Sequence, residues 1–315
     1  MKRSRRSTPP GQHRPVMLAE VLRVLDVPPG AVVVDATVGW AGHAVELLRL
    51  AGPDGRLVGL DLDGENLPRA SERLSETGLL FHLQHGNFAA LPAILAREGI
   101  AEVQAVLADL GMSSMRVDDA ERGFSYVREG PLDMRMDRSR GRTAAELLAT
   151  LPEHELARAL RELGDEPEAE CIAAALVAAR QQGSLELTSD VTRVIWEATQ
   201  SRGEKGRWRL HPSPGRWKLH PAARTFQALR ILVNRELANL AQLLRVLPSV
   251  LAPSGVAAII SFHSGEDRLV KAAFRDGLRA GVYCAVAEDA LRATFEERQD
   301  NPRSRSAKLR WARRG

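Results

Sequence analysis

Three aspartates in this 315-residue chain each close a short apolar run. Asp35 follows Ala31-Val32-Val33-Val34, Asp61 follows Leu57-Val58-Gly59-Leu60, and Asp109 follows Ala105-Val106-Leu107-Ala108. His263 follows another such run, Val256–Phe262. Short apolar runs that stop at turn residues read as buried strands of an α/β sheet. Ligands of open α/β sheets bind beyond the carboxyl ends of the strands. Carboxylates there attract cations and accept hydrogen bonds, and a histidine orients a substrate or relays a proton.

The loop after Asp35, Ala36-Thr37-Val38-Gly39-Trp40-Ala41-Gly42-His43, carries two glycines and leads into a helix, Ala44 to Leu50. With the strand Arg56–Leu60 it makes a βαβ unit, and Asp61 then stands where an acid accepts both ribose hydroxyls of a nucleoside cofactor. The loop is not GxGxxG, holds no lysine and begins on an acid. A carboxylate at the mouth of a phosphate cradle repels pyrophosphate, whereas an ammonium and a sulfonium welcome it. The unit therefore favours S-adenosylmethionine over NAD; a purely structural tight turn is the plain alternative. Phe88, after the third strand, is placed either along an adenine pocket or in the core.

These groups need a scaffold, and the periodicity supplies one. A short helix, Met17–Leu25, precedes the first strand. A helix over 66–77, a strand over 79–84 and a helix over 91–97 lead to the strand ending at Asp109. A long polar loop follows. From Thr143 the pattern turns wholly helical: Ala144–Leu151, capped by Thr143, then Pro152 to Gly164, Pro167 to about Arg180, and a fourth helix capped at 188–190 and running through Thr199. One long helix is expected over Ala222–Leu247, then the strand Val256–Phe262, a polar loop 263–268 and a helix Leu269–Leu278. Val282–Ala287 and Lys308–Trp311 complete the sheet. The fold class expected is thus α/β, a Rossmann-like sheet with a helical segment inserted between its fourth and fifth strands.

Net charge is only +4, but it is concentrated. Residues 1–14 hold five basic side chains and no acid, 201–230 hold eight against one, and 301–315 hold six against none. Three such segments, one of them internal and carrying Trp, point to a polyanion partner rather than to solvated tails alone. Within the second, Gly206-Arg207-Trp208-Arg209-Leu210-His211-Pro212 is nearly repeated as Gly215-Arg216-Trp217-Lys218-Leu219-His220-Pro221. Interleaved Arg, Lys and Trp suit phosphate contact and base stacking; a duplicated surface loop is the alternative. Cys171 and Cys284 have no metal or redox spacing and read as reduced packing residues of a cytoplasmic protein. Neither a signal peptide nor a membrane span is expected, and no metal set is indicated.

Several long motifs carry a resemblance. Asp118–Asp137 (DDAERGFSYVREGPLDMRMD), His220–Asn234 (HPAARTFQALRILVN), Ile259–Lys271 (IISFHSGEDRLVK), Asn301–Arg310 (NPRSRSAKLR) and His13–Val21 resemble the ribosomal RNA small subunit methyltransferase H family. That family methylates N4 of a cytidine in the decoding region of 16S rRNA. The resemblance covers about residue 13 to the end. It implies a class I S-adenosylmethionine-dependent methyltransferase sheet interrupted by an all-helical domain. The boundaries expected are a disordered basic arm 1–12, a cofactor domain 13–115 with 222–315, and a substrate-recognition domain 116–221. By position the family's cofactor contacts fall on Ala41, Gly42 and His43, on Asp61, Phe88 and Asp109, and on Arg116, with Asp35 leading the loop.

Three departures stand out. The family has glycines at the positions of Ala36 and Ala41 and glutamine at that of Arg116. Added Cβ atoms are tolerated where φ stays negative, and cofactor binding is expected on that condition. The first Gly-Arg-Trp unit looks inserted, and the stretch before Asn301 shortened.

For the chemistry, Asp109 is expected to accept from the N4 amino group or to position the cofactor, and His263 to orient substrate, relay a proton or serve the fold alone. Phe124 or Phe226 would stack on an unstacked cytosine. Arg122, Arg128, Arg135, Trp217 and Arg303 would contact the RNA. The expected partner is 16S rRNA, free or in the small ribosomal subunit; the sequence leaves a homodimer open. The competing readings are a NAD-type oxidoreductase and a non-catalytic RNA-binding assembly factor that has kept the fold.

Overall fold

The computed structural model describes residues 14–112, 119–200, 209–210 and 218–315. The basic arm 1–12, Arg116, Trp208 and Trp217 lie outside these residues.

In chain order the elements are α1 (Leu18–Leu25), β1 (Val32–Asp35), α2 (Gly42–Ala51), β2 (Arg56–Asp61), α3 (Leu67–Ser75), β3 (Leu80–His85), α4 (Leu91–Arg97) and β4 (Val103–Asp109). The helices α5 (Ala144–Thr150), α6 (Glu153–Gly164), α7 (Ala169–Gln182), α8 (Thr188–Gln200) and α9 (Ala223–Asn234) follow. The chain closes with α10 (Glu236–Val250), β5 (Leu251–Ser261), α11 (Ser264–Arg279), β6 (Tyr283–Val286), α12 (Phe295–Asp300) and β7 (Lys308–Arg314).

The seven strands form one sheet in the order β3-β2-β1-β4-β5-β7-β6. The first five run parallel, and β7 is antiparallel to both its neighbours. This is the class I methyltransferase sheet that the resemblance implies. The chain steps outward from β1 to β3, then returns to the other side of β1 as β4. The crevice beyond β1 and β4 is therefore the switch point where ligands bind.

Side chains of successive strand residues face opposite sides, and here both sides are covered. Val33, Leu107 and Ile260 pack with Leu25, Leu47, Leu48 and Leu74 of α1–α3. Val34, Val106 and Ile259 pack with Leu95, Leu244, Leu247 and Phe274 of α4, α10 and α11. Two-sided burial is why these strands read as continuous apolar runs.

The contacts divide the chain into two units, Met1–Gly111 with Leu237–Gly315, and Met112–Glu236. The second is helical around its own core of Leu148, Leu160, Ile172, Leu176, Ile195 and Leu229. A reciprocal cap starts α5, the Thr143 hydroxyl accepting from the Glu146 N–H while the Glu146 carboxylate accepts from the Thr143 N–H. α9 belongs to this unit, because Phe226 and Leu229 fill its core.

The single helix expected over 222–247 is two helices. Arg235 adopts a left-handed φ of 52° and ends α9. Local bonds hold the break: Arg230 pairs with Glu236 at 2.9 and 3.0 Å, and Asn234 accepts from the Met136 N–H and donates to the Met134 carbonyl. The loop expected over 263–268 is also corrected, since α11 begins at Ser264. β5 starts five residues earlier than expected, at Leu251, passing Ser254 at φ 63°. Both cysteines are free, and Cys284 is exposed rather than packed. Among the described residues no helix is long and apolar enough to cross a membrane.

Candidate active site

Asp35, Asp61 and Asp109 end β1, β2 and β4, side by side in the sheet. In register, Asp35 sits opposite Gly59 and Leu107, so Asp61 and Asp109 each reach two residues further along the same edge. The loop between β1 and α2 is stitched to both neighbours. Ala36 N–H donates to the Leu107 carbonyl, Val38 N–H to the Leu60 carbonyl, and Asp109 N–H to the Thr37 hydroxyl at 2.7 Å.

Each acid has its own surroundings. Asp35 is 2 % exposed and accepts from the Thr37 N–H. Burial pushes its carboxyl up to about 7, against the Thr37 hydrogen bond, and the charges of Asp109 and Asp61 add to the rise. Asp61 is held from two sides. It accepts from the Gly39 N–H at 2.9 Å, the Asp63 N–H at 2.8 Å and the Asn66 amide at 3.0 Å. Asp109 accepts from the Gly111 N–H at 2.9 Å. Burial raises its carboxyl, Glu266 adds to this, and His43, the Gly111 N–H and Arg303 oppose it. A Cβ at Gly111 would come within 2.7 Å of the Phe262 ring and 2.9 Å of the Asp109 carboxylate, so glycine lets the chain turn here.

Ala41, Gly42 and His43 form the entry to α2. Ala41 is fully buried and left-handed, with φ 59°. The condition that its φ stay negative is not met; the loop keeps a glycine-type conformation with alanine in it. A Cβ at Gly42 would meet Pro15 at 3.3 Å. His43 is 6 % exposed; its Nε2 is 2.9 Å from the Val16 carbonyl, and its Nδ1 is 3.9 Å from Asp109 Oδ2. Phe88 is half-buried against the core under β1 and β4.

Trp40, which the sequence pattern did not single out, is clamped. The Arg69 guanidinium lies over its ring, and Arg73 donates to its carbonyl at 2.7 Å. Two basic residues four apart on α3 were the only signal.

His263 caps α11: its Nδ1 accepts from the Glu266 N–H, and Glu266 Oε2 accepts from the N–H groups of Phe262 and His263. Its Nε2 lies 3.2 Å from Glu266 Oε1. The fold thus uses Nδ1 as a cap, while Nε2 is buried with no hydrogen-bond partner among the described residues. Arg303 was expected on RNA, yet it lies close enough to Asp109 to lower its carboxyl.

The helical unit corrects other expectations. Arg122 is 3 % exposed and donates to the carbonyls of Met136 and Arg135. It braces the loop instead of facing phosphate. Arg135 grips Asp133 with two nitrogens, at 2.7 and 3.0 Å. Burial pushes the Asp133 carboxyl up, but its hydrogen bonds with Arg135 outweigh that and hold it below the usual range. Phe124 and Phe226 are 5 % and 3 % exposed, packed in the helical core. The half-buried rings are Tyr126, stacked on His220 with centroids 4.8 Å apart, and Trp196 beside them. Arg128 is exposed. Of the duplicated segment, Arg209–Leu210 and Lys218–Leu219 pair antiparallel, so equivalent dipeptides of the two copies face each other.

Comparison with known proteins adds the family. A model of the MraW methylase family matches residues 11–315. The ribosomal RNA small subunit methyltransferase H of Solidesulfovibrio magneticus is 42% identical over 318 residues, covering 96% of this chain and 95% of its own. That of Pelobacter propionicus is 43% identical over 318 residues, covering 95% and 97%. A solved structure titled as a putative rRNA-methylase from Clostridium thermocellum overlaps 96% of this chain and all of its own, at 12% identity and a TM-score of 0.43, too loosely to add weight.

Proposed function

The chain belongs to the MraW methylase family, and from that premise we propose that it methylates the N4 amino group of a cytidine in the decoding region of 16S rRNA, using S-adenosylmethionine. The observation that carries this reading is the row of three carboxylates at the switch point, two of them raised by burial, with neighbouring acids adding to the rise. Such a row is short of a cation. An anionic pyrophosphate, as in NAD, would meet repulsion there, so the donor set fits a sulfonium and an ammonium.

When bound, the donor supplies an electrophilic methyl group on a positively charged sulfur. Asp35 and Asp109 give its cationic end a negative, water-poor wall. Asp61 faces the ribose, with its carboxylate pre-oriented by Gly39, Asp63 and Asn66. Phe88 lines the adenine side. The first N–H groups of α2, which have no partner within the helix, suit the donor's carboxylate. Asp109 accepts from the cytidine amino group, which aligns the nitrogen lone pair and gives its proton a destination.

The helical unit serves as the RNA-recognition part. The stacked Tyr126 and His220, with Trp196, take the stacking role expected of Phe124 and Phe226. The basic segment 201–230 and Arg128 supply the phosphate contacts. The substrate is the rRNA or the small subunit containing it, and the enzyme acts in the cytoplasm, where that RNA is assembled.

Mass spectrometry of 16S rRNA incubated with the protein and labelled donor tests the reading. Label on N4 of a decoding-region cytidine is expected, and an Asp109→Ala variant that binds donor should lose it. Methylation by that variant at the wild-type rate would overturn the role of Asp109. Calorimetry that found tight NAD⁺ and no S-adenosylhomocysteine binding would overturn the whole reading.

A further inference from the structure

His43 has a neighbour on each ring nitrogen, and the two neighbours differ in kind. The Val16 carbonyl, 2.9 Å from Nε2, only accepts hydrogen bonds. Nε2 therefore carries a hydrogen whatever the state of the ring. That leaves Nδ1, 3.9 Å from Asp109 Oδ2, as the nitrogen that gains or loses a proton. A bare Nδ1 facing an ionised carboxylate sets two electron pairs against each other. One proton on either atom turns that repulsion into attraction.

The surroundings confine the exchange to this pair. Asp109 Oδ1 is occupied by the Gly111 N–H, so Oδ2 is the oxygen that faces His43. The charged groups felt by Asp109 are His43 on α2, Arg303 from the turn before β7, and Glu266 on α11, while Asp35 on β1 feels Asp109 in turn. His43 is buried, and Pro15 and Val16 lie against the start of its helix.

We propose that His43 is a positioning residue that acts through Asp109, the two facing each other as an ion pair that carries one proton, on Nδ1 or on Oδ2, and thereby receives the proton released when the substrate amine is methylated. The inference rests on the methyltransferase reading above. In the step, the N4 lone pair forms the bond to the methyl carbon. The sulfur–methyl bond breaks with its electrons left on sulfur. The N–H bond pair returns to nitrogen, and the proton passes to Oδ2, from which Nδ1 can take it up. The productive enzyme therefore starts with the pair unprotonated. The Val16 carbonyl fixes the tautomer that makes this possible, which gives the N-terminal segment a part in the chemistry.

Two measurements test it. In the first, the His43 ¹⁵N signals and the Asp109 carboxyl ¹³C signal are followed against pH in the donor-free protein. Nδ1 and the carboxyl should titrate with one shared midpoint, Nε2 staying protonated. Separate midpoints, or a bare Nε2, would overturn the proposal whether or not the protein methylates cytidine.

The second compares wild type with His43→Gln, whose amide keeps a donor for Val16 but puts nothing at the Nδ1 position. kcat should fall about 10-fold or more, and the acid limb of its pH profile should move by about a unit, with the donor Kd changed several-fold less. A weaker donor Kd with kcat and the pH profile unchanged would make His43 a binding residue only and overturn the proposal. Absence of any methylation by wild type would instead sink the functional reading, leaving the titration to decide the pair.

Discussion

The Arg69 guanidinium carbon lies 3.4 Å from the centre of the Trp40 ring. Trp40 sits midway along the loop that joins β1 to α2, and Arg69 is on α3, so the contact ties the loop to a helix. A cation over an indole contributes about 0.5–1 kcal/mol at partly exposed sites. Arg69→Ala should therefore weaken donor binding by roughly 2- to 5-fold. A double-mutant cycle with Trp40→Ala, read by calorimetry, should find the two changes coupled; strict additivity would count against the clamp.

Ala41 stands where a left-handed backbone is required. A non-glycine residue there costs about 1–2 kcal/mol, and glycine gives back about 0.5–1 kcal/mol in chain entropy. Ala41→Gly should thus stabilise the protein by about 0.5–1 kcal/mol in urea unfolding, with donor affinity equal or better. A loss of stability would mean that the buried methyl group packs more tightly than its backbone strains.

Asp35 has a carboxyl at about 7 in the folded chain against an ordinary 3.8. Between those values the folded state holds a proton that the unfolded state has released. Stability from this group therefore falls as pH rises from about 4 to about 7, and the whole penalty, at most about 4 kcal/mol, stands above that. Asp35→Asn should be more stable than wild type at pH 8, with the difference gone near pH 4. Because a bound cation favours ionised carboxylates, donor binding near neutral pH should release protons. Calorimetry in buffers of different ionisation heat reads that directly.

Asp267 has the opposite sign. Its carboxylate bonds Lys308 at 2.6 Å and Arg310 at 2.7 Å, both on β7. Burial pushes it up, but the two cations outweigh this and hold it below the usual range. Its contribution is present above the unfolded pKa and is lost as pH falls through the lowered one. Asp267→Asn should cost about 3 kcal/mol at pH 7 by stranding the buried Arg310, and far less at a pH acid enough to protonate the Asp267 carboxylate. Equal loss at both pH values would assign the effect to packing.

On the RNA side, deleting 206–214 removes one copy of the duplicated segment and with it Arg207 and Arg209. Affinity for rRNA should drop, and the salt slope of log K should shrink by about 1–2. Donor affinity should stay the same. An unchanged slope would leave the duplication as a surface loop.

How much of this was legible in the chain depends on what kind of signal each part leaves. The strands under Asp35, Asp61 and Asp109 were readable because burial on both faces demands unbroken apolar runs, and the carboxylates mark where burial stops. The helix break at Arg235 was not, because neither glycine nor proline announces it; Asn234 reaches residues 134–136, about a hundred positions away. Arg122 reads as a surface charge until the carbonyls of 135 and 136 are seen around its guanidinium. The capping role of His263 was not legible because its partner, the N–H of Glu266, is a backbone group present at every position and so leaves no mark in the sequence. Phe124 and Phe226 could be known as aromatic but not as buried, since only the packing of the helical core distinguishes a wall from a platform.

The Met17 N–H is held by Glu297, and the Asn301 amide reaches back to the Arg14 carbonyl. Between them lie Pro15 and Val16, the residues that touch Gly42 and His43. During synthesis, then, the beginning of the protein waits for residues about 280 positions later before it can lock into place.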